Sequence, residues 1–139
     1  MGAAKTMRKV ILSSILASLA LLFDACSRGL IVDVWNNTGQ QLTITATYPP
    51  GFSKPRLLEI DQRRRFRHAD HLKIETKKGT WDFEFQRLPI EYHKTFGFNN
   101  LHLTAQIQPD GALYLLLPGS KAPVAEFPPQ PPGYPLRPK

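Results

Sequence analysis

Three guanidinium groups fall on alternate residues at Arg63, Arg65 and Arg67, inside the run Arg63-Arg-Arg-Phe-Arg67. On a strand those three share one face, while Phe66 points to the core with Arg64 near the rim. Planar forks in a row suit carboxylates or phosphates. Between Lys54 and Lys78 stand nine basic residues against four acidic ones, so this short stretch carries the charge excess of the chain beyond residue 26. Two accounts fit such a row. One is a solvated sheet edge, where basic side chains discourage edge-to-edge aggregation. The other is contact with an anionic partner.

Other chemistry-bearing residues are sparse. His68 and His71 are three apart and, with His93 or His102, have the numbers for a metal site. No cysteine or acidic cluster joins them at ligand spacing, so no metal is expected. Glu59/Asp61 and Asp82/Glu84 are spaced two apart, which places each pair outward on one strand face as solvated carboxylates. Ser27, Ser53 and Ser120 are the serines beyond residue 26, and none lies in a Gly-x-Ser-x-Gly elbow. No glycine-rich phosphate loop occurs. Enzyme activity is therefore not expected, and neither is any non-covalent cofactor. The competing reading is a hydrolase or metal-binding protein built from His68, His71 and nearby carboxylates.

The elements that must position these residues are strands. Leu30 to Trp35 is β-branched and apolar, and Asn36-Asn-Thr-Gly39 follows with turn chemistry. Leu42, Ile44, Ala46 and Tyr48 then alternate with threonines, the period of a half-buried strand. These two segments are expected as a hairpin or as neighbouring strands. Short strands are also expected at Leu57–Ile60 and Arg64–His68. Leu72/Ile74 and Trp81/Phe83/Phe85 flank a turn at Lys77-Lys-Gly79. Ile90, Tyr92, Phe96 and Phe98 share one parity, and Asn99-Asn100 turns into Leu101, Leu103, Ala105 and Ile107. Pro109-Asp-Gly111 feeds Leu113, Leu115 and Leu117. Seven to nine short strands at this spacing give an all-β fold, a small antiparallel β-sandwich or barrel over residues 30–118.

From residue 119 to 139 the chain is proline-rich and is expected to be extended, without a ladder. The readings are an unstructured end, an end draped over the sheet, or a docking peptide with Tyr134 and Leu136 as anchors and Arg137 and Lys139 as charges.

The opening of the chain supplies an address. Arg8 and Lys9 precede an uncharged run from Val10 to Phe23, the head and apolar centre of an export signal. Phe23-Asp-Ala-Cys26 resembles the lipid-attachment box of bacterial lipoproteins, with Asp24 where that family places a small uncharged residue. The resemblance implies a signal peptide over 1–25, a lipidated tether over 26–29 and a covalent lipid, palmitate included, on Cys26. Cys26 is the one cysteine of the chain. Ser27 in the next position goes, in that family, with the outer membrane. The expectation is a non-catalytic, membrane-anchored protein of the bacterial cell envelope, facing the periplasm. Its β domain would bind or scaffold an anionic envelope component or another envelope protein. No nucleic-acid partner is expected.

Overall fold

A computed structural model describes residues 29–48, 51–85, 92–96 and 100–139. The export signal, Cys26 and the apolar positions Ile90 and Phe98 lie outside those residues. The strands are β1 (Gly29–Asn36), β2 (Leu42–Tyr48), β3 (Gly51–Phe52), β4 (Arg56–Leu58), β5 (Arg63–Arg67), β6 (His71–Thr76), β7 (Gly79–Glu84), β8 (His93–Phe96), β9 (Asn100–Ile107) and β10 (Leu113–Leu116). They form two sheets that pack as a β-sandwich and do not close into a barrel. The first sheet runs β10-β9-β1-β5, and β8 pairs the start of β9 while β10 pairs its end. The second runs β3-β2-β6-β7, and β4 pairs the start of β2 while β3 pairs its end. The ten segments thus fill eight strand positions. Among the described residues no helix is long and apolar enough to cross a membrane.

The alternating residues meet between the sheets. Val32, Val34, Phe66, Leu103, Ala105, Ile107, Leu113 and Leu115 from the first sheet bury against Leu42, Ile44, Leu58, Leu72, Ile74 and Phe83 from the second. Trp81 packs against this core while remaining half-buried. β6 and β7 form a hairpin whose closing pair, Thr76 and Gly79, leaves Lys77-Lys78 as the turn.

Several expectations change. β1 and β2 are not a hairpin, because they belong to different sheets. The reason is Asn36, which is fully buried. Its Nδ2 donates to the carbonyls of Gln40, Leu58 and Glu59 at 2.7, 3.1 and 3.2 Å, while its Oδ1 accepts from the Thr38 N–H and hydroxyl at 3.0 and 2.6 Å. These bonds turn the chain across the sandwich instead of back along β1. β1 and β9 pair in parallel over eight residues, from Gly29↔Asn100 to Asn36↔Ile107, within an otherwise antiparallel fold. A strand buried on both faces reads as a continuous apolar run, and Ile31 on the outer face is as hidden as Val32 on the inner one. Asn100 belongs to β9 and not to a turn, Asp61 sits in a turn with φ near 55° and not on a strand, and Leu117 is 46% exposed.

The proline-rich segment is draped over the domain, and its expected lack of any ladder fails at one point. Leu113 and Leu136 exchange both backbone hydrogen bonds, at 2.8 and 2.9 Å. Two glutamines complete the attachment. Gln106, fully buried on the outer face of β9, accepts from the Val124 N–H at 2.9 Å and donates to its carbonyl at 3.2 Å. Gln130 does the reverse from the tail, accepting from the Leu115 N–H and donating to its carbonyl, both at 3.0 Å. Each primary amide thus substitutes for a peptide group in a two-bond pair. Phe127 stacks on Tyr114 with ring centroids 3.9 Å apart, and the Tyr92 hydroxyl donates to the Pro129 carbonyl. At the last turn Gly111 has φ +85°, and a Cβ there would stand 2.7 Å from Pro138. Only glycine admits both the turn and the tail.

Candidate functional site

The three alternate arginines lie on β5, an edge strand, with Phe66 buried behind them as expected. They are not equivalent. Arg65 stands opposite Asp33 of β1. Its Nε donates to Asp33 Oδ1 at 2.9 Å and its Nη2 to Oδ2 at 3.1 Å, a two-bond fork. His102 of β9 closes the other side, with Nε2 2.9 Å from Asp33 Oδ2. Asp33 is only 3% exposed. Burial pushes its carboxyl up, but the hydrogen bonds and charges of Arg65 and His102 outweigh that and hold it below the ordinary carboxylate range. The Asp33 carboxylate in turn raises the Arg65 guanidinium. Arg65 is therefore a structural partner of a buried acid, which separates it from Arg63 and Arg67.

Two concave surfaces flank β5. A groove of about 560 Å³ runs along its open edge, lined by Ala46, Ser53, Lys54, Arg56 and residues 65–68. This side of the sandwich lies between the β5 edge and the segment leading into β4. No carboxylate is among its described lining residues. His68 follows β5 with φ near 51°, a left-handed conformation that His tolerates better than most residues. The second surface is a cleft of about 650 Å³ on the outer face of the first sheet. Its floor is Asp33, Trp35, Arg63, Arg65, His102 and Thr104, and its far wall is the strap Pro118–Ala122 that leads into the tail.

The remaining expected site residues separate. His71 lies 3.8 Å from Glu84 across the β6–β7 hairpin, while His102 is committed to Asp33. Among the described residues no group of three His, Cys, Asp or Glu side chains gathers as a metal site. Tyr134 and Leu136 pack against the domain's own core. Burial pushes the Tyr134 phenol up to about 12. Arg137 lies 3.5 Å from Asp110, an exposed pair of small energetic weight. As placed, the two apolar anchors serve an intramolecular contact.

Comparison with family models, with curated proteins and with solved structures finds no match for the chain. The geometry therefore carries the functional reading unaided. Asp33, Trp35, Thr104 and Gln106 were not singled out by the sequence reading. The available signal was Asp33 itself, a charge inside the apolar run Leu30-Ile-Val-Asp-Val. Buried charges are paired, so such a residue calls for a cationic neighbour on the next strand.

Proposed function

We propose that this protein is a non-catalytic lipoprotein of the bacterial envelope, anchored through lipid on Cys26, whose β domain holds an anionic envelope partner along the edge of β5. The observation that carries the binding reading is the groove with Lys54, Arg56, Arg65, Arg67 and His68 on its walls and no carboxylate among its described lining residues. Surface cations usually stand among acids that neutralise them. Here the edge strand presents a one-signed channel, and such a channel concentrates counter-charge and accelerates encounter. At the β7 edge, by contrast, tail residues Pro132, Tyr134, Leu136 and Arg137 line a smaller cavity of about 360 Å³ that also carries Asp82 and Glu84, so that side is not one-signed. The anchor rests on the resemblance of Phe23–Cys26 to a lipid-attachment box.

Two measurements test the parts separately. Intact mass of the membrane-extracted protein is expected to give a chain beginning at Cys26 with acyl mass, lost in Cys26→Ala. An uncleaved or unacylated chain removes the anchor. For the groove, the full chain in neutral detergent is passed over immobilised poly-glutamate and eluted with salt. The triple change Lys54→Ala, Arg56→Ala, Arg67→Ala is expected to lower the eluting salt by half or more, because each lost contact reduces a strongly screened interaction. The control is Lys73→Ala, Lys77→Ala, Lys78→Ala, which removes the same charge from β6 and its turn. Equal losses in the two triples mean that net charge alone is responsible, and the groove has no role.

A further inference from the structure

The cleft on the outer face of the first sheet has a composition the edge groove lacks. The register builds a grid on that face: Arg63 opposite Trp35, Arg65 opposite Asp33, and Thr104 of β9 beyond Asp33. The strap Pro118–Ala122 forms the facing wall. It is held at both ends. Ser120 folds back through its N–H and hydroxyl onto the Leu117 carbonyl, and the Gln106 clamp on Val124 fixes the chain beyond it.

Within the cleft the carboxylate is engaged, while several donors have no side-chain partner among the described residues. Asp33, the one carboxylate lining it, already receives both nitrogens of the Arg65 fork and engages His102. Arg63, Lys121 and Thr104 have no side-chain hydrogen bond or ion pair among the described residues. Trp35 Nε1 is buried without a hydrogen-bond partner, and it is the only such side-chain atom among the described residues. A buried N–H left unpaired is unfavourable, and native structures rarely keep one without a reason. Counting charge, Arg63, Arg65 and Lys121 stand against Asp33 alone, an excess of two positives.

We propose that this cleft binds a phosphate monoester group. A phosphate monoester near neutral pH carries close to two negative charges on oxygens that accept hydrogen bonds, which matches both the charge excess and the donors left without partners. Arg63 approaches from the sheet that floors the cleft and Lys121 from the strap. Thr104 donates from the floor. The indole of Trp35 lines the cleft beside them. Asp33 acts as a positioning residue, since its two-bond hold on Arg65 fixes the orientation of that guanidinium. Trp35, Pro118 and Ala122 offer apolar walls to whatever bears the phosphate. This site is distinct from the β5 edge groove, sharing only Arg65 with it.

The test is fluorescence titration of the full chain in Trp81→Phe background, where Trp35 is the remaining tryptophan. The probes are glycerol 3-phosphate, inorganic phosphate and succinate, at constant ionic strength. Glycerol 3-phosphate and inorganic phosphate are expected to give a saturable change in Trp35 emission. The dissociation constant rises at least tenfold in Arg63→Ala and in Lys121→Ala, and stays within twofold in Lys54→Ala/Arg56→Ala/Arg67→Ala. Lowering the pH through about 6 protonates the ligand and weakens binding. Vesicles containing phosphatidic acid are the second arm: competition by them, with soluble esters binding weakly, places the phosphate on a lipid headgroup. Stronger binding of the soluble ester places it on a free metabolite. The proposal is overturned if no probe saturates, if succinate matches phosphate, or if Arg63→Ala and Lys121→Ala leave the constant unchanged. Retention on poly-glutamate reports the edge groove independently, so loss of one site does not carry the other with it.

Discussion

Arg65→Ala is expected to destabilise the protein by about 2–3 kcal/mol, a fall in melting temperature of roughly 10–15 °C for a domain of this size. Arg63→Ala and Arg67→Ala, one residue pair away on the same face, are expected to stay within about 0.5 kcal/mol, as surface substitutions do. The difference lies in what each removal leaves behind. Asp33 has a side chain only 4% exposed, so without Arg65 a carboxylate remains buried with His102 as its one described partner. Desolvation, already the largest influence on that carboxyl, is then met by fewer hydrogen bonds. The reverse change is milder. In Asp33→Ala the Arg65 head, 43% exposed, turns to water and keeps its hydration. A symmetric surface ion pair gives equal and small effects from either side. Thermal denaturation of the four variants decides between them, and an Arg65→Ala protein melting with wild type would show that the fork adds nothing.

The same pair sets an acid limb. The folded Asp33 carboxyl lies below its ordinary value of 3.8. Its stabilising contribution is therefore fully present well above that value. As the pH falls through 3.8 the unfolded chain takes up the proton first, and stability declines until the folded carboxyl also protonates. Urea midpoints between pH 5 and 3 should fall steeply in wild type and less in Asp33→Asn. Parallel slopes would assign the acid sensitivity to other carboxylates.

How much of this was legible in the residues follows from what each signal depends on. Strict alternation placed β2, β6, β7 and β9 correctly, because one inward face per strand leaves a period of two wherever the opposite face is polar. It gave Phe66 inward and the odd arginines outward on β5 for the same reason. On β10 Leu113 and Leu115 are inward, but Leu116 is buried as well and Leu117 is exposed. Where both faces are covered the period disappears. β1 reads as an apolar run interrupted only by Asp33 up to Trp35, and its parallel partner is 71 positions further on, with Gly29 facing Asn100. No local pattern announces such a pairing. The Asn36–Gly39 segment shows the limit of turn chemistry: the residues do turn the chain, but the direction is set by a buried amide bonded to carbonyls of β4 and its neighbour. The arginine row was visible as a row. That its middle member serves Asp33 depends on strand register, which neither segment encodes alone. The outer cleft was invisible for a related reason. Its wall comes from a segment read as extended tail, and its floor from three strands separated by tens of residues.

That tail gives the second large effect. Gln106→Ala is expected to lower stability by about 2–4 kcal/mol, combining a cavity in a fully buried site with two backbone groups left unpaired at Val124. Gln130→Ala is expected to be milder, about 1–2 kcal/mol, because Leu115 lies on the outermost strand of its sheet and water can replace one bond. The two clamps are remote in sequence yet hold the same segment, so they should couple: once one opens, the tail lifts and the second loses its partner. The double variant is thus expected to fall short of additive loss. Hydrogen exchange distinguishes this from general weakening. The amides of Val124, Leu115 and Leu113 should exchange at least tenfold faster in either variant, since each is protected by the tail contact, while Ile44 and Ile74 in the second sheet keep their protection. Uniform acceleration across both sheets would mean that the glutamines support the whole sandwich and the tail is inseparable from it. Local acceleration means that residues 119–139 form a separable cover.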